Sequence, residues 1–362
     1  MPPDRTANEH AGIRWKVLPE LSATALAVPA LLHGLRSFWS RDHRYGDDVL
    51  PLCKPWMANL LVLLGPLLRP FTRRRDFPAQ LRNPQVMRSK VMRRDFEIFV
   101  RMPDDVVEGS PRRYPMLVAM DANGGFATTA ETVDRLARAG EIDEMIVVGI
   151  GTPRAQGELE FGFRRFEELS PPVPAGHRYD DALGSFFRSV FALRGQEAQA
   201  QLGQAPGFHA FITGELLPRL LARLPVDAQD ISLLGHSAAG TFVGYALAQT
   251  QSPFSGYVCL SPGVGIGNDW MLREAPASLA QHGKLPRIFV AIGAEEQHNP
   301  FNLIAGIPRA SEYVALLREH GAPATDFHVL DGETHTTIYP RALAQSLLAL
   351  HPARRVSLAV NQ

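Results

Sequence analysis

Residues Gly235-His236-Ser237-Ala238-Ala239-Gly240 come directly off the apolar run Ile231-Ser232-Leu233-Leu234 and lead into a helical stretch from Thr241 to Leu247. A buried strand that turns at once into a helix, with a serine at the corner, forces that serine into a strained backbone conformation. Such a corner leaves room only for small residues two positions before and two after the serine, and Gly235 and Ala239 fill them. The pattern is that of a nucleophile elbow, and it demands a sheet with helices packed beside it.

Composition supplies the core such a fold needs: 362 residues, 45% of them hydrophobic. That length accommodates one large α/β domain of about 250 residues and an extension, or two ordinary domains. The 37 basic and 37 acidic side chains cancel, whereas a nucleic-acid-binding chain usually carries a basic excess. The two cysteines, Cys53 and Cys259, lie far apart with no CxxC spacing, which argues against a disulfide framework or a zinc site.

Asp4 and Glu9 stand where a secretory signal would be positive, so a cytoplasmic location is the default expectation. Residues 1–87 are expected to form an apolar, helical N-terminal extension. Within it, Val17 to Trp39 is interrupted by Glu20, His33 and Arg36, while Trp56 to Leu68 is a denser apolar run. The second run falls short of the roughly 20 residues a spanning helix requires. Lys54 on one side and Arg69, Arg73, Arg74 and Arg75 on the other suit an interfacial helix on anionic lipid through residues 56–75. Helices packed on the catalytic domain or on a second subunit are the other reading.

From Arg88 onward, strand-like and helix-like segments alternate, which predicts a mostly parallel sheet with helices on both faces. Phe96–Val100 reads as an early antiparallel strand. Tyr114–Met120, Met145–Ile150, Ile231–Leu234, Gly256–Leu260, Arg287–Ile292 and Phe327–Leu330 read as the strands that follow. Asp121 to Gly125 is expected to be a loop. Residues 151–210, rich in Arg, Glu and Pro, are expected to be a cap or loop insertion over the site, with an amphipathic helix at Leu216 to Leu224 and a tail from 353 to 362.

A serine hydroxyl is a weak nucleophile until a base takes its proton. Of the 12 histidines, His335 sits in the loop after the last strand and before a helix beginning near Pro340. His328, inside the strand, is read as structural, and His298 and His351 as exposed. The base needs a carboxylate to hold its tautomer. After the preceding strand the chain offers Glu295 and Glu296; Glu296 is favoured, with Glu295, Asp269 and Asp331, or a Ser-His dyad with no acid, as alternatives. Negative charge on the attacked carbonyl oxygen must meet backbone N–H groups, for which Ala238 and Asn123 are the candidates. Trp270, Phe161, Phe163 and Phe166 are candidates for lining a pocket or for ordinary packing.

Residues from about 88 to 352 resemble the putative-esterase family of α/β-hydrolases, which includes enterochelin and salmochelin esterases, S-formylglutathione hydrolases and feruloyl esterases. The resemblance rests on Tyr114-Pro115-Met116-Leu117-Val118-Ala119-Met120-Asp121, Ile146-Val147-Val148-Gly149-Ile150-Gly151, Leu234-Gly235-His236-Ser237, Leu260-Ser261-Pro262 and Gly332-Glu333-Thr334-His335. It departs where Ala122 and Ala239 replace glycines and where Glu167-Glu168-Leu169-Ser170-Pro171 replaces an Arg/Asp-rich Thr-Pro segment. The resemblance implies an α/β-hydrolase fold with Ser237 as nucleophile and His335 as base. The expected activity is cleavage of a small-molecule carboxylic ester through an acyl-enzyme, with no metal or organic cofactor. The alternatives are acyl transfer to an alcohol, or a non-catalytic binding protein on the same fold.

Overall fold

The computed structural model describes residues 84–353 apart from short stretches at 104–105, 107–110, 175, 178–181, 283–284, 299–305 and 323, together with residues 56 and 59–63. The expectations for Val17 to Trp39, for most of residues 56–75 and for nearly all of the C-terminal tail lie outside the described residues. Eight strands form one sheet: β1 (Gln85–Arg88), β2 (Asp95–Arg101), β3 (Tyr114–Ala119), β4 (Ile146–Gly151), β5 (Val226–His236), β6 (Gly256–Leu260), β7 (Arg287–Gly293) and β8 (Asp326–Leu330). Their spatial order is β1-β2-β4-β3-β5-β6-β7-β8. β2 is antiparallel to both β1 and β4, and every later pairing is parallel. This is the α/β-hydrolase fold.

Strands β3, β4 and β6 are buried at every position, as a parallel sheet covered on both faces requires. Leu117, Val147, Leu234, Val258, Phe289 and Ala291 face one core, closed by Val133 of α1 (Ala122–Arg138) and by Ile338, Leu343 and Leu347 from the last helix. On β5 and β6 also packs the helix Ala238–Leu247, every residue of which is buried.

Residues 151–210, expected to be a cap or loop insertion, are largely helical, with α2 (Gly157–Leu169), α3 (Ala182–Ala192) and α4 (Ala205–Phe211); a π-helical segment (Ile212–Leu216) and α5 (Leu217–Leu221) follow, the latter within the helix expected at Leu216 to Leu224. The helices after β5 include α6 (Ala238–Leu247), α7 (Ile307–Glu319) and α8 (Ile338–Leu350). The charged residues of α2 are not a solvated face. Arg164 donates to Glu168 at 2.8 Å, Arg94 to Glu167 at 2.8 Å and Glu168 at 3.1 Å, and Arg194 to Glu167 at 2.8 Å. Arg164, Glu167 and Glu168 are all buried. Phe96 of β2 stacks on Phe211 at 4.3 Å, and Phe208 meets Phe242 of α6 at 4.9 Å, which docks α4 between sheet and elbow helix.

Among residues 56 and 59–63, Leu61 is buried, while Trp56, Val62 and Leu63 are exposed. Among the described residues, no helix is long and apolar enough to cross a membrane.

His351, expected to be exposed, is buried and shares a 2.9 Å hydrogen bond with Ser232. His328 lies on the exposed side of β8, its ring stacked on Phe289 at 4.9 Å. Burial, with Arg287 adding to it against the opposing pull of Asp230 and Asp143, lowers the His351 pKa to about 4. The unfolded chain takes up a proton there near the ordinary histidine value, and the folded one only at lower pH. Stability is therefore expected to fall by on the order of 1–2 kcal/mol as pH drops from about 6.5 toward about 4. Urea unfolding at the two ends of that window, with His351→Asn showing the shallower dependence, checks this.

Candidate active site

The serine at the end of β5 has φ 62° and ψ −124°, a conformation costing on the order of 1–3 kcal/mol for a residue with a side chain. Its neighbours hold it there. The Ser237 N–H donates to Leu260 O at 2.9 Å, and its carbonyl accepts from Thr241 N at 3.1 Å and Gly263 N at 3.2 Å. Ser237 occupies the N-cap of α6, yet its hydroxyl makes no capping hydrogen bond. Gly235 is needed because a Cβ there would lie 2.2 Å from Ala239 O.

His335 lies in the turn between β8 and α8, and its Nδ1 is 2.7 Å from Glu296 Oε2. Glu296 comes from the 3-10 turn Ala294–His298 after β7 and is only 3% exposed. A buried carboxylate needs partners for both oxygens. Its Oε1 accepts from Gly293 N at 2.9 Å and from Ser261 Oγ at 2.5 Å. A carboxylate on Nδ1 fixes the tautomer that turns the lone pair of Nε2 outward. The loops bearing the two residues touch: Glu295 N donates to Glu333 O at 3.0 Å, and a Cβ on Gly293 would lie 2.2 Å from that same oxygen.

Of the alternative carboxylates, Glu295 and Asp331 are exposed and Asp269 pairs with Arg309. Sequence reasoning missed Ser261 as a partner of the acid. Its position directly after buried β6, at the same edge of the sheet as Ser237 and Glu296, was the available signal. His236 places its ring 4.7 Å from that of His335. Burial, and after it the charges of His335 and Arg165, hold His236 well below the usual histidine range, so a neutral ring walls the base.

The segment after β3 differs from the expected loop. Helix α1 begins at Ala122, because left-handed Asp121 turns its carbonyl to accept Gly124 N and Gly125 N, both at 3.1 Å. β3 and β5 are parallel neighbours, with Ala119 opposite Leu234, so α1 and α6 start side by side. The first amides of each helix have no carbonyl within their own helix to bond; Asn123 and Ala238 are among them. Asn123 is fixed by its side chain, whose Nδ2 donates to Thr152 O at 2.7 Å while its Oδ1 accepts Thr152 N at 2.8 Å.

Of the proposed pocket aromatics, Trp270 packs on Tyr245 at 4.9 Å and Phe163 on Phe191 at 5.9 Å, both buried in the core. Phe166 meets Phe187 at 5.3 Å, and Phe161 and Phe166 flank Arg165. Cys259 is buried, which pushes its thiol pKa up and keeps it protonated. Among the described residues, no group of three or more His, Cys, Asp or Glu is arranged to hold a metal ion.

Residues 187–350 match the family model described as putative esterase, a stretch that contains Ser237, Glu296 and His335. The ferri-bacillibactin esterase BesA of Bacillus subtilis (strain 168) is 26% identical over 275 residues, covering 74% of this chain and 89% of that protein. The siderophore hydrolase EstB of Aspergillus nidulans superposes with a TM-score of 0.60 at 22% identity, over 77% of this chain and 97% of its own. The BES protein of Bacillus cereus gives 0.57 at 21% identity, over 77% and 99%.

The fit around Gly235 makes a direct prediction. Gly235→Ala is expected to cost at least about 1–3 kcal/mol through overpacking against the Ala239 carbonyl and to displace the serine. Thermal unfolding together with the rate of hydrolysis of a short ester checks both.

Proposed function

We propose that this chain is a serine esterase whose catalytic triad is Ser237, His335 and Glu296, a reading supported by the match of residues 187–350 to the putative-esterase model and by the similarity to a curated esterase. The observation that carries this reading is the hydrogen bond between His335 Nδ1 and buried Glu296, beside which stands the strained elbow backbone of Ser237. His335 Nε2 takes the Ser237 proton as Oγ attacks the ester carbon. Glu296 stabilises the imidazolium that results, and the amides of Ala238 and Asn123 receive the oxyanion. Collapse of the tetrahedral intermediate passes the proton from His335 to the departing alkoxide. Water then repeats the sequence on the acyl-serine and releases the acid.

The substrate class is a small-molecule carboxylic ester. Because a relative is named as a ferri-bacillibactin esterase, ferri-bacillibactin stands beside simple p-nitrophenyl esters in the panel that supports or narrows this assignment. A contact with anionic membrane through residues 56–75 is a further part of the reading. It is supported by exposed Trp56, Val62 and Leu63 and by the arginines that follow them in sequence.

A fluorophosphonate probe is expected to form an adduct on Ser237, located by peptide mass mapping, that is lost in Ser237→Ala and His335→Ala. Glu296→Gln, which keeps the shape but reverses the tautomer preference, is expected to lower kcat by at least about a hundredfold with little change in KM. A folded wild type that takes no label, or a Glu296→Gln variant of full activity, refutes the triad.

A further inference from the structure

Asp121 is an aspartate at the N-cap of a helix that caps nothing. An N-cap carboxylate ordinarily accepts the amides of the second or third helical residue, here Asn123 or Gly124. The Asp121 side chain makes no such bond. It is engaged instead by Arg165 of α2, whose Nη2 donates to Oδ2 at 2.7 Å while its Nε reaches both oxygens at 3.2 Å. Both partners are largely covered, at 18% and 22% side-chain exposure, so solvent screens the pair only in part. Arg165 also sits close enough to His236, the residue before Ser237, for its charge to disfavour protonation there.

An unpaired carboxylate beside the first amides of α1 would do two harmful things. It would compete for the Asn123 N–H, and it would repel negative charge developing on a substrate oxygen at that amide. We propose that Arg165 is a positioning residue for ester cleavage: its forked ion pair with Asp121 keeps a carboxylate off the Asn123 amide at the start of α1, leaving that amide to the oxyanion. This rests on the serine-esterase reading above and adds to it a residue of the helical insertion that need not touch the substrate.

A charge argument and a packing argument predict opposite epistasis. With a short neutral p-nitrophenyl ester, Arg165→Met is expected to lower kcat by about ten- to a hundredfold while KM moves little. Adding Asp121→Asn removes the stranded charge and retains a residue that tolerates the left-handed backbone. The double variant is therefore expected to recover most of the lost kcat. Arg165→Lys, which keeps the charge, is expected to stay above Arg165→Gln, a pair that reports the same contrast should Arg165→Met not fold.

A double variant as slow as Arg165→Met, or slower, overturns the proposal and assigns the loss to packing on Phe161 and Phe166. A change confined to KM overturns it in favour of a direct substrate contact. Fluorophosphonate labelling of wild-type Ser237, run in parallel, separates the two levels. An unlabelled wild type removes the esterase reading and this proposal with it, whereas a labelled one without rescue removes this proposal alone.

Discussion

The backbone of Ser237 is the constraint around which the rest is arranged. A serine at φ 62° and ψ −124° is held only because its amide and carbonyl are tied to the ends of β6 and to the chain just after it, and because position 235 lacks a side chain. Those ties make the neighbouring strand part of the corner. From the end of β6, Ser261 in turn reaches Glu296, and Glu296 reaches His335. The three groups proposed for catalysis are thus linked through the main chain of adjacent parallel strands, and a shift in one strand would be felt by all of them.

The helical insertion is joined to this frame by charge. One side of α2 is locked by Arg94, Arg164 and Arg194 against Glu167 and Glu168, and its next residue, Arg165, faces Asp121. Buried ion pairs of this sort add little net stability, since desolvation offsets most of their attraction, but an unpaired member is costly. Their effect is to allow only one register of α2 against β2 and the start of α1.

Much of this was legible from the chain because it is local. The elbow, the strand series and the histidine after the last strand each follow from spacing and from small residues where backbones approach. Glu296 was favoured from its place after β7, and the 3-10 turn that buries it while exposing Glu295 is a local fold that the sequence alone does not spell out. The ion pairs of the polar stretch after β4 were not legible because their partners lie in other elements. Arg94 and Glu167 are 73 positions apart, and Ser232 and His351 are 119 apart. No window along the sequence contains both members of such pairs. The start of α1 was mistaken for a loop because Asn-Gly-Gly favours turns, whereas a left-handed Asp121 converts it into a helical first turn.

Asn123 carries two obligations that different experiments would weigh differently. Its proposed part in the reaction belongs to the main chain, which any residue would supply. Its amide side chain, by contrast, is committed to both backbone groups of Thr152. A substitution at this position would therefore act on the rivet before the chemistry, so tolerance here would track how well a side chain bridges two segments. The atom proposed to meet the oxyanion would leave no trace in the genetic record of the site.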